Sequence, residues 1–521
     1  MRQWKRLAAV ILAGALLLGS VGGHAQGGVP SPETIIIGVT DLPSSLDPAD
    51  AFDFNAWEVL SHLYVGLTRQ VAGTLDYELA LAQDVTVSAD RLTYTFTLRD
   101  GLAFSDGTPI TAQTFVNAIE RVLRLGGDAA QAVAPFVADM RATDRRTLVF
   151  TLRRPVPYFL ALVALPPYFP QHPDLAAEPL PRPFADGLVG NGPYLLERFD
   201  VGEQIVLRAN PDYALGDPPL SEQIVLRRYA RSQDLRDALL AHEVDLAWRA
   251  LLVEHLLQVQ SVDGLRVYDV PSTRVFYLYL GQNHEPTDDP LVREALSVLI
   301  SRQEAAETDF AGYLSPLTSL LPQLFPEAYA PLWSDAPNVE RAELTLRAGG
   351  YRERVTSRLR IQISMSRYLY GVPYSAALSR MARASFNGTD YVSYDLLTDI
   401  ETRAFLETLR SGTGSLAVFA WTPLVPHPDA YLRPLLHSDY EMPRNSGYAD
   451  TAIDALLDRA ATLDDVAAQG ALYRQVAERV YADFALVPLW QDHVQAVAWE
   501  DVVGVQVEPN FFLHYERLGR R

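Results

Sequence analysis

Segments with a strand pattern alternate with segments of helical spacing along most of this chain, and no low-complexity linker separates them. Strand patterns occur at Thr34–Val39, Val275–Leu280 and Leu359–Ser364, whereas Val292–Arg302 and Ala449–Ala461 show apolar residues at helical spacing. This mixture predicts an α/β class with more than one sheet. At 521 residues the chain exceeds what one hydrophobic core usually serves. We therefore expect two or three domains, joined by strands that cross between them and act as hinges.

Two local sequence patterns predict the structure of short segments of this fold. Tyr94 to Leu98 alternates apolar and polar residues before a turn at Asp100-Gly101, and a helix is expected to follow with Thr111 as its N-cap. The pentapeptide Gln-Ile-Val-Leu-Arg occurs at 204–208 and again at 223–227, with turn-forming residues between the two copies. These copies predict two strands that lie side by side in one sheet.

The N-terminus has the pattern of an export signal. Arg2, Lys5 and Arg6 form a positive region, Leu7 to Leu18 is an almost unbroken apolar run, and small residues end at Ala25. The run is shorter than the ~20 residues of a comfortable bilayer span. We expect residues 1–25 to be a signal peptide cleaved after Ala25, with an uncleaved membrane anchor as the alternative.

The overall composition excludes several classes of partner and site. The chain contains no Cys, which removes disulfides, thiolate metal sites and lipid attachment through an N-terminal Cys. Its formal net charge is −20, so nucleic acid and anionic lipid are poor partners. We expect an exported protein, in a periplasmic space or at the extracytoplasmic face of the membrane.

Motifs for catalysis are incomplete throughout the sequence. His242-Glu243 opens like a zinc-protease motif, but the required second His is Leu246. The run from Gly190 to Gly192 opens like a dinucleotide loop, but Pro193 follows it and the third Gly is missing. No Gly-x-Ser-x-Gly elbow occurs and the His residues are scattered. We therefore expect no enzyme and no cofactor; a peptidase remains the alternative only if a nucleophile or metal site exists.

Several segments, in order, resemble one protein family. The run from Leu98 to Ala112 (LRDGLAFSDGTPITA), Asn191–Tyr194, Asn210–Tyr213 and Ala348–Tyr351 resemble the peptide/nickel class of ABC-transporter solute-binding proteins, family 5. The oligopeptide-binding branch is the most similar in pattern. This resemblance implies an extracytoplasmic component of an ABC importer that binds peptides or peptide-like solutes and hands them to permease subunits, with ATPase subunits behind them. Monomer is the expected state.

The resemblance also implies a periplasmic-binding-protein-like type II fold of cluster C, a hinged flytrap of two lobes with an inserted third domain. By analogy we expect hinges near Ser272–Val275 and Val487–Gln491. The implied boundaries are lobe I at 34–55, 180–272 and 489–521, the inserted domain at 56–179, and lobe II at 273–488.

The family pattern is broken at the expected ligand contact. Peptide-binding relatives carry an Asp three residues after the residue that matches Trp421, where it pairs with the peptide α-ammonium; here that residue is Leu424. The oligopeptide-binding relatives also carry an Arg just before this segment, and here that residue is Val418. An apolar group cannot offset the free-energy cost of desolvating a buried ammonium. We therefore expect a changed ligand, such as a blocked, modified or cyclic peptide or another amphipathic solute. Asp429 or Asp439 is the alternative partner for an ammonium.

We predict a ligand site with aromatic walls and a cation for a carboxylate. The predicted ligand-binding residues are Trp421, Tyr431, Tyr277, Trp248, Arg249, Arg274, Arg367 and Asp429. Core packing or solvation is the alternative role for each of them. The family also binds opines, saccharides and nickel chelates. For a nickel chelate, His427 and His437 would be candidate contacts. A ligand sensor in signalling, or a chaperone-like protein of the same fold, is the other functional class.

Overall fold

The computed structural model describes residues 34–183, 188–351, 359–367, 372–411 and 416–521. The predicted signal peptide lies outside these described residues. The strands are, in chain order, β1 (Thr34–Val39), β2 (Thr68–Gln70), β3 (Tyr77–Leu79), β4 (Ala82–Val87), β5 (Thr93–Leu98), β6 (Val137–Ala142), β7 (Thr147–Leu152), β8 (Tyr194–Asp200), β9 (Gln204–Ala209), β10 (Gln223–Arg228), β11 (Leu246–Trp248), β12 (Leu265–Leu280), β13 (Leu314–Pro316), β14 (Leu359–Ser364), β15 (Val392–Leu397), β16 (Leu416–Trp421), β17 (Leu486–Trp499), β18 (Val502–Val503) and β19 (Gly519–Arg520).

The α-helices of the described residues alternate with these strands. In chain order they are α1 (Phe54–Leu63), α2 (Ala112–Leu125), α3 (Phe159–Leu162), α4 (Pro173–Ala176), α5 (Ser232–Leu240), α6 (Val253–Val259), α7 (Pro290–Leu299), α8 (Gln303–Phe310), α9 (Val339–Ala348), α10 (Val372–Phe386), α11 (Thr402–Ser411), α12 (Pro428–Leu436), α13 (Glu441–Ser446), α14 (Thr451–Ala461) and α15 (Val466–Asp483). Within the described ranges, none of these helices combines the length and apolarity needed to cross a bilayer.

One large sheet runs through the protein, with two long strands at its centre. The strand order is β15-β14-β16-β12-β17-β11-β1-β10-β9-β8, and β13 also pairs with β17. The long strands β12 and β17 are antiparallel and stay paired from Leu265↔Trp499 to Tyr279↔Leu486, with a register shift between Pro271 and Val275. The two halves of the sheet are therefore connected through this one pair.

The buried core divides at the same place along both long strands. Buried residues of one main cluster include Val494, Ala496 and Ala498 of β17, whereas Val487, Leu489 and Trp490 of the same strand belong to the other. On β12, the second cluster begins at Val275, and Val270 packs against the first. Two apolar residues of the later chain, Val425 and Ala430, are exceptions that pack in the first cluster.

A separate four-stranded antiparallel sheet, β4-β5-β7-β6, lies in the predicted inserted region. Helix α2 begins after Thr111 as predicted, and the Thr111 backbone N–H donates to Thr114 Oγ1 at 3.1 Å. A buried ion pair connects this helix to the first chain segment: Arg121 Nη1 and Nη2 donate to Asp47 Oδ1 and Oδ2 at 2.6 and 2.7 Å. Both side chains are fully buried.

Most local sequence predictions are confirmed. The strands predicted at Thr34–Val39 and Leu359–Ser364 have the expected bounds, and the two Gln-Ile-Val-Leu-Arg copies form the adjacent antiparallel strands β9 and β10. The strand predicted at Val275–Leu280 is only the second part of β12. Its first part was missed because Pro271 and the polar residues after it interrupt the apolar pattern, whereas pairing with β17 continues across them.

Replacing Asp47 with Ala is expected to lower the free energy of unfolding by about 3–5 kcal/mol, because it leaves the Arg121 guanidinium buried without its counter-ion. Urea unfolding followed by circular dichroism measures the change. Asp139→Ala is the matched control, since the Asp139–Arg141 pair is solvent-exposed and its loss should cost less than about 1 kcal/mol. Equal effects in the two variants would contradict a structural role for the buried pair.

Candidate functional site

One candidate site is a cavity of about 920 Å³, here named the central cleft, beside the β12–β17 pair. One part of its lining is the segment from Trp248 to Leu257 and the residues around the start of α1. Another part comes from the end of α8 and the start of α10. Further lining residues are Arg274 of β12, residues 492–495 of β17, residues 39–41, Ala311, Tyr313 and Phe511. The cleft thus receives residues from both main core clusters, which is the expected place for a ligand between two bodies.

Arg274 is the cation in this cleft with the weakest internal pairing. Its Nη1 lies 3.4 Å from Asp492 Oδ2, its Nε donates to Thr422 Oγ1 at 3.3 Å, and its side chain is 33% exposed. These distances are longer than the ~2.7–2.9 Å of a strong charge-assisted hydrogen bond. Burial raises the pKa of Asp492, whose Oδ1 also accepts from Tyr374 at 2.7 Å. Arg274 therefore keeps donor capacity for a carboxylate in the cleft.

Trp248 and Arg249 also line the central cleft, but both are bound to a buried carboxylate. Trp248 Nε1 donates to Glu58 Oε2 at 3.0 Å, and Arg249 Nη2 donates to the same oxygen. A further bond runs from Arg249 Nη1 to the Phe511 carbonyl at 3.0 Å. Because Glu58 neutralises its charge, Arg249 shapes the wall of the cleft more than it attracts an anion.

Three predicted aromatic contacts lie outside the cavity linings described here. Tyr277 and Tyr431 are fully buried, and their hydroxyls donate to the carbonyls of Leu320 and Thr273. Burial raises the pKa of both phenols. The indole of Trp421 is partly buried and its Nε1 donates to the Ala430 carbonyl at 3.3 Å. In this conformation they pack behind the site, and their contact with ligand stays a prediction.

The two remaining predicted residues are engaged in ion pairs. Asp429 is fully buried and both of its oxygens accept from Arg433 Nε, at 3.0 and 3.1 Å. Arg367 Nε lies 2.7 Å from Asp399 Oδ1, and both side chains are more than two-fifths exposed. Asp429 therefore offers no accessible carboxylate here, and Arg367 belongs to a surface pair.

A second cavity of about 670 Å³, here named the side cavity, contains Leu424. Most of the surrounding side chains are apolar or aromatic, among them Tyr64, Leu165, Phe169 and Phe512. Leu424 enters this lining with its proline neighbours and packs against the first core cluster. The residue that breaks the family pattern therefore lines a cavity whose wall has apolar and aromatic side chains together with charged ones such as Glu78 and Arg69.

One wall of the side cavity carries a ladder of alternating imidazoles and carboxylates. His62 Nδ1 lies 3.3 Å from Glu516 Oε2, and Glu516 Oε1 lies 3.1 Å from His514 Nδ1. His514 Nε2 then lies 3.2 Å from Glu508 Oε1. Burial alone would lower the pKa of His514, but hydrogen bonds to Glu508 and Glu516 raise it to about 9. Sequence reasoning missed this ladder, because His62 is far from the others along the chain.

The residues of the incomplete catalytic motifs have structural roles. A Cβ at Gly192 would lie 2.4 Å from the His62 carbonyl oxygen, so this Gly permits close backbone packing. His242 stacks on Trp499 with ring centroids 3.6 Å apart. His427 accepts from the Asp429 backbone N–H at the start of α12, and burial lowers its pKa to about 4. Within the described ranges, His, Cys, Asp and Glu form no group of three or more that could hold a metal.

The family model for bacterial extracellular solute-binding proteins, family 5 (middle), matches residues 76–442. This chain belongs to that family. Among curated relatives, DdpA of Escherichia coli (strain K12), described as a probable D,D-dipeptide-binding periplasmic protein, is 28% identical over 95% of each chain. YgiS of the same organism, described as a probable deoxycholate-binding periplasmic protein, is 27% identical over 86% of each chain.

The solved structures support the fold of this family-5 protein. HbpA2 from Haemophilus parasuis matches with a TM-score of 0.82 at 21% identity, covering 94% of this chain and 100% of that chain. The similarity establishes the predicted α/β, two-lobed type II binding-protein fold. The family and its curated relatives are binding proteins of the periplasmic or extracellular space.

The stability contributed by the ladder is expected to depend on pH. Because the folded pKa of His514 lies above its ordinary value of 6.5, its contribution is complete below about pH 6.5 and is lost as pH rises through about 9. His514→Gln should flatten the fall of Tm over that range, as measured by differential scanning calorimetry. His284→Gln, at an exposed position, is the control and should retain the wild-type slope. An unchanged slope in His514→Gln would contradict the ladder's contribution.

Proposed function

We propose that this family-5 protein is the extracytoplasmic solute-binding component of an ABC importer and captures a peptide or peptide-like solute in the central cleft. The observation that carries this proposal is the cleft itself, which has residues of both core clusters in its lining and Arg274 on the long central strand. Such a site binds a ligand without any covalent step. Both the dipeptide-type relative and the family description support it.

Closure of two lobes on the ligand follows from the proposed hinge positions. We place lobe I at 34–55, 180–272 and 489–521, the inserted domain at 56–179 and lobe II at 273–488. The change of core cluster between Val270 and Val275, and between Trp490 and Val494, supports these crossings. A ligand that contacts both lobes binds the closed state more tightly, so its binding energy favours the form that the permease recognises.

Contacts between the inserted domain and lobe II are consistent with a closed form. Arg154 Nη2 donates to the Tyr440 hydroxyl at 3.1 Å, and its Nη1 lies 3.9 Å from the Asp429 carboxylate. The Tyr158 and His427 rings have centroids 5.3 Å apart. Because Arg154 is only partly buried, these contacts are suited to a reversible closure rather than a permanent interface.

The charges of the two cavities indicate the class of solute. Arg274 suits a carboxylate in the central cleft, whereas Leu424 is apolar at the position where the resemblance matches the Asp that pairs with a peptide α-ammonium. We therefore infer a peptide with a blocked or modified N-terminus. A second candidate is a non-peptide amphipathic anion, which the apolar and aromatic part of the side-cavity lining and the similarity to the deoxycholate-type relative support.

The cellular role proposed here needs permease and ATPase partners but no catalytic residue. We place the protein in the periplasmic space or at the extracytoplasmic face of the membrane, as its curated relatives are periplasmic. We propose no attachment through a lipidated Cys, since the given sequence contains no Cys. A monomer suits lobes that must open and close.

Denaturing the protein purified from its native host should release the bound solute, which mass spectrometry identifies. Peptides lacking a free α-ammonium are expected. A single non-peptide anion would favour the second candidate. Chemical change of an added peptide library by the pure protein would contradict the binding function, as would the absence of saturable binding to any solute of the host medium.

Arg274→Gln is expected to weaken binding of the released solute about 10- to 100-fold, because a charged hydrogen bond to its carboxylate is lost. Isothermal titration calorimetry measures the affinity. Arg266→Gln is the matched control, an exposed Arg on the same strand β12. Equal affinity in both variants would show that Arg274 does not contact the solute.

A further inference from the structure

Asp492 is a nearly buried carboxylate in the wall of the central cleft, beside Arg274. Its side chain is 8% exposed. Oδ1 accepts two hydrogen bonds, one from the Tyr374 hydroxyl at 2.7 Å and one from the His493 backbone N–H at 3.0 Å. The second oxygen, Oδ2, faces the Arg274 guanidinium, with Nη1 at 3.4 Å. Oδ1 is therefore well bonded, whereas Oδ2 has a long contact with the cation that the proposed function assigns to the solute.

The groups that face Asp492 come from each of the elements packed around it. Arg274 belongs to β12, Tyr374 belongs to α10, and His493 follows on β17 itself. Strand β13 places Leu314 opposite Asp492 and adds no charge. Burial raises the pKa of Asp492, whereas Arg274, Tyr374 and His493 lower it and offset the effect of burial only in part. The ionised form of this carboxylate thus depends on Arg274 more than on any other of these groups.

A solute carboxylate at Arg274 places two carboxylates against one cation. Like charges that share a site are not both stable in the ionised form, so one of them takes up a proton. A proton on Asp492 Oδ2 leaves both hydrogen bonds to Oδ1 in place and gives up the long contact with Arg274. The new O–H lies on the side of the carboxyl group that faces Arg274, and an O–H that donates to a carboxylate forms a strong hydrogen bond. Protonated Asp492 is therefore a second donor for the solute.

We propose that Asp492 binds the solute carboxylate together with Arg274 and takes up a proton as the solute enters the central cleft. This inference rests on the proposed function and adds that the solute's carboxylate is held by one cation and one carboxylic acid. The proton comes from the solvent, is bound by Asp492 Oδ2 and returns to the solvent when the solute leaves. A solute with a neutral amide in place of its carboxylate binds without taking up a proton.

The proposal fixes the direction in which affinity changes with pH. The complex holds more protons than the free protein and the free solute, so affinity is greatest at low pH. It falls by up to about tenfold per pH unit as pH rises above the pKa of Asp492 in the free protein. The pH profile of binding therefore separates this role of Asp492 from a purely structural one.

The test titrates a series of N-acetylated Ala peptides of increasing length, and their C-terminal amides, by isothermal titration calorimetry. Measurements from about pH 5.5 to about pH 9, in pairs of buffers with different ionisation enthalpies, give both the affinity and the number of protons taken up. For the wild-type protein, the affinity of the acids should fall at least about tenfold over this range, with uptake approaching about one proton. The amides should show neither effect.

Asp492→Asn is the deciding variant, because Asn is neutral and nearly the same size. It should bind the acids without proton uptake, and its affinity should vary less than about threefold over the same range. Asp309→Asn is the matched control, since this carboxylate also lines the cleft but accepts from Arg380 Nε at 2.8 Å, and it should keep the wild-type profile. Tyr374→Phe removes a hydrogen bond that lowers the pKa of Asp492, so its fall in affinity should begin at a higher pH than in wild type.

Each outcome decides the question. Binding of the acids by wild type without proton uptake overturns this role of Asp492 and leaves the proposed function intact, as does a pH dependence that persists in folded Asp492→Asn. Failure of wild type to bind any peptide of the series at any pH overturns the peptide function and, with it, this inference. If Asp492→Asn does not fold by circular dichroism, Tyr374→Phe decides, and an unshifted pH profile in that variant overturns the proposal.

Discussion

The antiparallel pair of β12 and β17 is the interaction on which the rest of this structure depends. It joins the two halves of the large sheet, and the core passes from one cluster to the other along it. The register shift after Pro271 leaves fewer regular ladder bonds at this point, so bending there disrupts less structure than bending elsewhere. Arg274 and Asp492 lie within these two strands close to the register shift, which places this charged pair of the cleft where the core changes from one cluster to the other.

The buried charges of this protein support its fold, whereas a partly exposed charge is the candidate for recognising the ligand. Asp47 with Arg121 is an enclosed pair that holds segments distant in sequence together, whereas Asp429 with Arg433 is an enclosed i,i+4 pair within α12. Glu58 similarly fixes Trp248 and Arg249 in the wall of the cleft. Arg274, by contrast, is partly exposed and has only long contacts. The arrangement explains why one of several predicted cations stands out as the candidate for a ligand carboxylate.

Part of the candidate site could be predicted from the sequence, because the residue types themselves indicate aromatic walls and a cation. Trp248, Arg249 and Arg274 were predicted as ligand residues and all three line the central cleft, although their contact with solute stays a prediction. Tyr277 and Tyr431 carry the same apolar signal as a binding wall, yet they are buried. Alternation along a strand tells which residues share a face, but it does not tell which face meets a cavity and which meets the core.

The sequence by itself determined the α/β class, the helix start at Thr111, the paired strands β9 and β10 and the family, because turns, caps and apolar spacing act over a few residues. Only the tertiary structure decided which charges are satisfied and that Glu516 joins His62 to His514. These features depend on contacts between residues hundreds of positions apart. Such contacts arise from the packing of whole elements, and no local pattern encodes them.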